Sequence, residues 1–344
     1  LPMPSIDWWM RFRELNRAAH IGAKIFQKVR MSGESASTNQ SMASVIGRVP
    51  LRRCLMVSEW LTSKLESYGL QVDLILNSIA AALTEDAPNG DDKTSRAVIS
   101  SDQISTARMV ARKPGIVAGV GVAAAVFEHV GLTDIKMEKR SGDLISQGET
   151  ILSVTGNTRS ILLSERTALN FISHISGIAT LTKRWVDEVA GTGVTIRDTR
   201  KTNPGLRQLE KFAVRMGGGM NHRMHLSDGA IIKDNHIAAA GSITNAVARI
   251  RSEFPGLLIE VEVDTLEQLR EALTTGVEVI LLDNMSIKET LEAVALAKGS
   301  NSKLESSGGL TLDNARAYAE TGVDYLAVGA LTHSAPILDI GLDF

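Results

Sequence analysis

Apolar runs alternate with longer helical patterns from Val194 to Ala330, and this rhythm restricts the possible folds more than any other feature. Six runs are expected to be β-strands: VTIRDT (194–199), GAIIK (229–233), LLIEVEV (257–263), VEVILLD (277–283), KLESSGG (303–309) and YLAVGA (325–330). Helical patterns such as TLEQLREALTTG lie between the later runs, and Thr265 and Ser286 have the spacing of capping boxes. Strand–helix units at intervals of ~20–30 residues predict a parallel sheet, and six in succession favour a barrel.

The preceding part of the chain has shorter elements. Strands are predicted at AVIS (97–100), STARMVAR (105–112), GIVAG (115–119), DIKMEKR (134–140) and ETILSVTG (149–156), and a helix at VAAAVFEHVG (122–131). These elements predict a smaller α/β sandwich at residues 56–165, before a barrel at 166–344 whose C-terminal tail could pack back on the sandwich. Residues 160–190 have helical periodicity, and Gly177 marks a place where that helix could break.

The first 55 residues are basic and contain the polar run SGESASTNQS (32–41). We interpret them as a flexible extension, with Met56 as an alternative start, and an Arg-rich organelle transit peptide is the other interpretation. Cys54 is the only cysteine, which excludes an intrachain disulfide and suits a reducing compartment. We expect a cytoplasmic protein that binds neither membranes nor nucleic acid, because the net charge is only −2 and no long apolar run is present.

Positive charge is nevertheless concentrated in one place. Between Arg200 and Lys233 the sequence has seven Lys or Arg residues and only two acidic residues. Chemistry in βα barrels is located at the C-terminal ends of the strands. Polar residues stand at those ends here: Asp198-Thr199-Arg200-Lys201, Lys233-Asp234, Glu262, Asp283, Ser307-Gly308-Gly309, and Gly329 ahead of Thr332-His333-Ser334.

These residues divide into three chemical kinds. Five are treated as cationic donors suited to carboxylates and phosphates: Arg200, Lys201, His222, Arg223 and Lys233. Glu262 and Asp283 could hold a hard divalent cation. The small-residue turns SSGG and VGALTHS could offer backbone N–H groups to a phosphate. Any one of these residues alone has an ordinary structural explanation, such as a paired charge, and at least one carboxylate of Glu260, Glu262 and Asp264 is expected to be structural. Together they predict a highly anionic ligand.

Several long motifs resemble the quinolinate phosphoribosyltransferase family. They are DTRKTNPGLRQLEKFAVRMGGGMNHRM with IKDNHI, ERTALNFISHISGIAT (165–180), IEVEV with LLDN, and LESSGGL with VGALTHSAPILDIGLDF. The resemblance covers about residues 70–344. Two positions depart from the expected pattern, namely His225 and the pair Ala87-Pro88, and neither is assigned to chemistry.

This resemblance implies a fold, a reaction and an assembly. The fold is an open α/β barrel preceded by a smaller N-terminal α/β sandwich. The reaction converts quinolinate and phosphoribosyl pyrophosphate into nicotinic acid mononucleotide, pyrophosphate and CO2 with Mg2+. The assembly is a homodimer, or dimers of dimers, with shared active sites.

The resemblance also implies individual roles. Arg166, from the partner subunit, joins Thr199, Arg200, His222, Arg223 and Lys233 around the quinolinate carboxylates or the diphosphate. Lys201 meets the leaving pyrophosphate, and Glu262 and Asp283 hold the ribose hydroxyls or Mg2+, directly or through water; these three are the expected catalytic residues. Ser307, Gly308, Gly309 and Gly329 seat the 5′-phosphate.

Three alternatives remain open from the sequence. A related phosphoribosyltransferase could use the same fold with a different acceptor. A βα-barrel lyase or isomerase could use Lys233 as a Schiff-base amine. A catalytically silent binding protein is the third.

Overall fold

The computed structural model describes residues 57–344, and the predictions for residues 1–55 and for Met56 lie outside them. The elements of the N-terminal part are α1 (Glu59–Ser67), α2 (Val72–Asp86), α3 (Lys93–Val98), β1 (Ile104–Ala111), β2 (Gly115–Ile116), α4 (Val120–His129), β3 (Asp134–Met137), β4 (Leu144–Ile145) and β5 (Thr150–Asn157). Strands β1, β5 and β3 are antiparallel neighbours in one sheet, and β2 pairs with β4 in a second, two-stranded sheet.

One strand prediction in this part was wrong. AVIS (97–100) overlaps helix α3 and its C-terminal end instead of forming a strand. Asp92 is the N-cap of that helix, and its carboxylate accepts hydrogen bonds from the amides of Thr94 and Ser95. Capping therefore outweighs the β-propensity of a four-residue apolar run, because it satisfies amides that the first turn of a helix leaves free.

A single long helix, α5 (Thr158–Glu188), follows the small sheet, and the break considered at Gly177 does not occur. The C-terminal segment crosses this helix at Gly177, where a Cβ atom would lie 2.1 Å from the carbonyl oxygen of Pro336. Glycine is therefore needed for close approach of two backbones and not for a bend. The predicted boundary between residues 165 and 166 falls inside this continuous helix.

The second part of the chain is built on six parallel strands. Its elements are β6 (Thr195–Arg197), α6 (Arg207–Met216), β7 (Ala230–Ile232), α7 (Asp234–Ala240), α8 (Ile243–Glu253), β8 (Ile259–Val263), α9 (Leu266–Thr275), β9 (Val279–Asp283), α10 (Ile287–Ala297), β10 (Lys303–Ser307), α11 (Leu312–Ala319), β11 (Tyr325–Ala327), α12 (Ala330–His333) and β12 (Ile340–Asp343). Thr265 and Ser286 form the capping boxes expected from their spacing.

The strand order is β6-β11-β10-β9-β8-β7, and all neighbouring pairs are parallel. Strands β6 and β7 are the outer strands of this order, so the barrel is open, which confirms the predicted fold class. The last strand, β12, does not join the barrel sheet and instead pairs antiparallel with β1 in the smaller sheet. No helix among the described residues is both long and apolar enough to cross a membrane.

Candidate active site

A cavity of about 390 Å³ lies at the C-terminal ends of the parallel strands. It is lined by Thr199, Arg200, Lys201, His222, Arg223, Ile231, Lys233, Glu262, Leu281, Asp283, Glu305, Ser307 and Ala327. Successive residues of a strand point to opposite faces. In β9, for example, Leu281 and Asp283 line the cavity whereas Ile280 and Leu282 are fully buried. The strand ends and the loops that follow them thus bring nine of the predicted site residues together.

Two guanidinium groups in the cavity have unused donors. The Nε atoms of Arg200 and Arg223 are buried and have no hydrogen-bond partner within the described part of the chain. The pKa of Arg223 is lowered, first by burial and then by the positive charge of Arg200. Two neighbouring cations that repel each other in a partly dry cavity favour an anionic ligand between or beside them.

A buried network holds the segment that carries Arg223. The Asp198 carboxylate accepts hydrogen bonds from the His222 amide at 2.8 Å and from Asn221 Nδ2 at 2.5 Å. Lys211 forms an ion pair with Asp198 and donates to the carbonyl oxygen of His222 at 2.9 Å. Asp198 was counted among the polar strand ends, but it is fully buried beneath the cavity and belongs to this network.

His222 lines the cavity, but both of its ring nitrogens contact protein atoms. Nε2 lies 2.8 Å from the Glu260 carboxylate, and Nδ1 accepts a hydrogen bond from the amide of Arg223 at 2.7 Å. Both ring nitrogens are therefore engaged by the protein, and neither is left to bind a ligand. The prediction treated His222 as a cationic donor, whereas here it links Glu260 to the backbone of Arg223.

A second buried polar group lies beside His222, and sequence reasoning missed most of it. Arg197 donates to Glu305 at 2.5 Å and lies over the ring of Tyr325, with 4.6 Å to the ring centroid. Burial, and then the charge of Glu260, raise the pKa of Glu305 to about 7. One signal could have found Glu305, because it stands two residues before Ser307 on the same strand face.

The donor atoms of His222, Glu260 and Glu305 all lie within 4.8 Å of one another, the one such metal-ligand grouping found among residues 57–344. Arg197 already supplies a positive charge to Glu305. The Arg197 guanidinium therefore supplies the positive charge that a metal ion would otherwise bring to this cluster.

The carboxylates expected to hold a divalent cation line the main cavity. Glu262 is on β8 and forms an ion pair with Lys233. Asp283 is at the end of the adjacent strand β9, and its Oδ2 accepts a hydrogen bond from Asn284 at 2.8 Å. Two carboxylates on neighbouring strands of one cavity offer the oxygen ligands that Mg2+ prefers, so this pair fits the expected metal.

Small residues lie at the end of β10, beside Asp283. Ser307 lines the cavity, and the next two residues, Gly308 and Gly309, have φ values of 83° and 62°, which a residue with a side chain rarely adopts. At Gly329 a Cβ atom would lie 3.1 Å from Lys201 Cδ and 3.2 Å from His333 Nε2. Gly329 therefore adjoins Lys201, and His333 is a further neighbour to which the sequence analysis gave no role.

Arg166 is not in this cavity. It lies on helix α5 and lines a separate cavity of about 480 Å³ together with Glu85, Asp86, Asn170 and His174. His225, one of the two departures from the family pattern, also does not line the main cavity, and its amide donates to Asp228 at 2.8 Å.

Comparison with known families agrees with these features across nearly the whole described region. Residues 92–176 match the family described as quinolinate phosphoribosyl transferase, N-terminal domain, and residues 178–343 match its C-terminal domain.

The chain belongs to the quinolinate phosphoribosyltransferase family.

Individual members of the quinolinate phosphoribosyltransferase family are similar over most of their length. A nicotinate-nucleotide pyrophosphorylase (carboxylating) of Mycobacterium leprae is 50% identical over 278 residues, which is 79% of this chain and 98% of that protein. A probable nicotinate-nucleotide pyrophosphorylase (carboxylating) of Bacillus subtilis is 43% identical over 279 residues, 80% of this chain and 93% of that protein. The crystal structure of nicotinate-nucleotide pyrophosphorylase from Ehrlichia chaffeensis has a TM-score of 0.74 and 41% identity, covering 78% of this chain and 97% of that one.

Proposed function

We propose that this chain transfers the phosphoribosyl group of phosphoribosyl pyrophosphate to quinolinate with decarboxylation. The products are nicotinic acid mononucleotide, pyrophosphate and CO2, so the reaction is a step in NAD biosynthesis. Membership of the quinolinate phosphoribosyltransferase family supports the reaction class, and the names of the relatives from Mycobacterium leprae and Bacillus subtilis support the carboxylating form.

One structural observation carries the proposal, namely the adjacent guanidinium groups of Arg200 and Arg223 with unused buried donors. Quinolinate has two carboxylates on adjacent ring carbons, and arginine can bind a carboxylate through two parallel hydrogen bonds. Lys233 lines the same cavity, where its charge is paired with Glu262. A monocarboxylate acceptor would leave one of the two guanidinium groups without an anionic partner.

The leaving group is assigned to Lys201, the residue that follows Arg200. Lys201 lies beside Gly329, and the carbonyl oxygen of Lys201 accepts a hydrogen bond from the Thr332 hydroxyl at 2.8 Å. We assign the diphosphate to Lys201 and Arg200, with Thr199 beside them, and the 5′-phosphate to Ser307, Gly308, Gly309 and Gly329. Glu262 and Asp283 would hold Mg2+ or the ribose hydroxyls, and bound Mg2+ would neutralise charge on the diphosphate.

The chemistry then needs no nucleophilic side chain. The pyridine nitrogen attacks C1′ while the C1′–O bond to pyrophosphate breaks, and Lys201 stabilises the negative charge that develops on the leaving oxygen. The ring nitrogen becomes cationic, so it accepts electron density when the bond between C2 and its carboxylate breaks. CO2 departs, and C2 takes up a proton. Arg200 and Arg223 keep the ring oriented during both steps.

The alternative that used Lys233 as a Schiff-base amine is disfavoured by geometry. Lys233 forms an ion pair with Glu262. A lysine held in an ion pair is not free to attack a carbonyl carbon as an amine.

The assembly is also part of the proposal. Arg166 lines a different cavity from Arg200 and Arg223 in the same chain. A homodimer in which Arg166 of one protomer reaches the cavity of its partner would reconcile this position with the role that the family resemblance implies for Arg166.

Turnover by the purified full chain tests the proposed function. Quinolinate labelled in the 2-carboxylate, phosphoribosyl pyrophosphate and Mg2+ should give labelled CO2 and pyrophosphate in equal amounts. Nicotinate lacks the 2-carboxylate and phthalate lacks the nitrogen, so neither should support pyrophosphate release. Release of pyrophosphate with nicotinate at the rate seen with quinolinate would contradict the assigned acceptor.

A further inference from the structure

Asn284 has an unusual backbone conformation at the end of strand β9. Its φ of 54° is positive, and no other residue except glycine has a positive φ among residues 57–344. Residues with side chains rarely adopt this conformation, although asparagine tolerates it better than most. Such residues concentrate at functional sites, where surrounding contacts enforce the conformation. The contacts of Asn284 therefore indicate what the conformation achieves.

Those contacts join two strand ends that carry different parts of the site. On its own strand, Asn284 Nδ2 donates to Asp283 Oδ2 at 2.8 Å. On the next strand, the Asn284 amide donates to the carbonyl oxygen of Ser307 at 2.9 Å. This bond continues the β9–β10 pairing by one step, because Ser307 is already the register partner of Asp283.

The Asn284 side chain also packs against the turn that follows Ser307. A Cβ atom at Gly308 would lie 2.1 Å from Asn284 Oδ1 and 2.6 Å from its Cγ. The asparagine side chain therefore occupies the space that a side chain at position 308 would need. The conformation of Gly308, with φ of 83°, and the position of Asn284 depend on each other.

We propose that Asn284 is a positioning residue for phosphoribosyl pyrophosphate, holding the Asp283 carboxylate and the Ser307–Gly309 turn in one fixed arrangement. This inference rests on the proposed function, which assigns the ribose or its metal to Asp283 and the 5′-phosphate to the turn. Asn284 is not among the residues that line the cavity, so it acts through its neighbours. A single side chain thus sets the separation between the two groups that bind the ribose 5-phosphate part of the substrate.

This role predicts a selective defect. Hydrogen-bond partners that orient a metal or substrate ligand are typically worth about 10–100-fold in affinity or activity. The defect should appear toward phosphoribosyl pyrophosphate and not toward quinolinate, because Arg200 and Arg223 lie on other elements of the site. A general loosening of the fold would weaken both substrates.

Two substitutions separate the backbone from the side chain. Asn284→Gly allows the positive φ at no steric cost but removes the hydrogen bond and the packing against Gly308. Asn284→Asp keeps the shape, removes the donor and places a second negative charge beside Asp283. Asn301→Gly, at an exposed bend outside the site, is the matched control for adding a glycine.

The measurements are KM for each substrate and direct calorimetric binding of phosphoribosyl pyrophosphate. Phthalate at saturation would fill the acceptor site during binding, since it lacks the nitrogen that attacks C1′. Asn284→Gly should keep the wild-type melting temperature and quinolinate Kd, while KM and Kd for phosphoribosyl pyrophosphate rise by about 10–100-fold. Asn284→Asp should weaken phosphoribosyl pyrophosphate binding at least as much as Asn284→Gly does. Asn301→Gly should bind both substrates as the wild type does.

Wild-type affinity for phosphoribosyl pyrophosphate in either Asn284 variant would overturn the inference, as would an equal loss of quinolinate affinity. These outcomes are distinct from failure of the proposed function. If the wild-type protein did not turn over quinolinate, the function would be wrong whatever the Asn284 variants bound.

Discussion

Lys211 and Asp198 form an ion pair in which neither side chain is exposed to solvent. Burial raises the pKa of Asp198 and lowers that of Lys211, and their mutual attraction opposes both shifts. Asp198 also accepts a hydrogen bond from the His222 amide. The ion pair therefore fixes the position of the segment that places Arg223 in the cavity.

Removal of one partner should therefore be costly, and removal of both charges should cost less than the two single losses added together. Lys211→Met should destabilise the protein by about 3–5 kcal/mol, because it leaves a buried carboxylate without a counter-charge. Lys211→Met combined with Asp198→Asn should lose less than the sum of the single changes, since the introduced side-chain carbonyl could still accept the hydrogen bond from the His222 amide. Urea unfolding of the four proteins checks this. Additive losses would show that the pair has no coupling.

Arg223 is expected to act mainly in binding. Arg223→Ala should weaken quinolinate binding by about 2–4 kcal/mol, the usual loss when one partner of a desolvated charge pair is removed. The change in kcat should be the smaller effect, because the carboxylate contact exists in both ground and transition states. Titration calorimetry with quinolinate measures the change in affinity. Lys136→Ala, a substitution at an exposed position, is the control. Unchanged quinolinate affinity would remove Arg223 from the acceptor site.

Lys201 is expected to act mainly in the chemical step. Lys201→Ala should lower kcat by about 10²–10³-fold, as does loss of one preorganised donor to a developing charge. Lys201→Arg should recover little, since a planar guanidinium does not reproduce a compact ammonium beside Gly329. Steady-state kinetics with each substrate varied will show whether kcat falls. If only quinolinate affinity is lost, the leaving-group role is wrong.

Subunit sharing predicts complementation between two inactive proteins. Arg166→Ala and Lys201→Ala homodimers should each be nearly inactive. After mixing and subunit exchange, heterodimers should regain activity, because one of their two sites would contain both native side chains. Exchange is followed by mass-tagged subunits. Proven exchange without recovery of activity would mean that Arg166 acts within its own chain.

Glu305 should make stability depend on pH. Its pKa is raised from 4.5 to about 7 in the folded state. The folded protein therefore retains a proton that the unfolded chain releases, so this contribution to stability is complete below pH 4.5 and is lost as pH rises through 7. A shift of this size corresponds to about 3 kcal/mol.

Glu305→Gln should remove that part of the pH dependence. Urea unfolding of both proteins at about pH 4.5 and pH 8, on either side of the titration, provides the comparison. Comparing the change in stability between the two pH values separates the titration of Glu305 from any effect of the substitution that does not depend on pH. Parallel pH profiles for wild type and Glu305→Gln would show that Glu305 does not hold this proton.

The sequence by itself determined the alternation of strands and helices and the set of charged residues at the strand ends. These are local properties: a period of about 3.6 or 2 residues identifies each element, and caps such as Thr265 and Ser286 mark where helices begin. Parallel strands put their C-terminal ends on one side, so Arg200, Lys233 and Asp283 could be expected to meet.

Only the tertiary structure decided which of these residues face the cavity and which support it. Asp198 stands at a strand end beside Thr199, yet it turns away because Lys211, thirteen residues later, meets it in the interior. Gly177 looked like a possible helix break, but the constraint comes from Pro336, far along the chain. Arg166 belongs to a motif that resembles the quinolinate phosphoribosyltransferase family, yet it lines a different cavity from Arg200 and Arg223. Such outcomes depend on contacts between segments distant in sequence, and local periodicity contains no information about those partners.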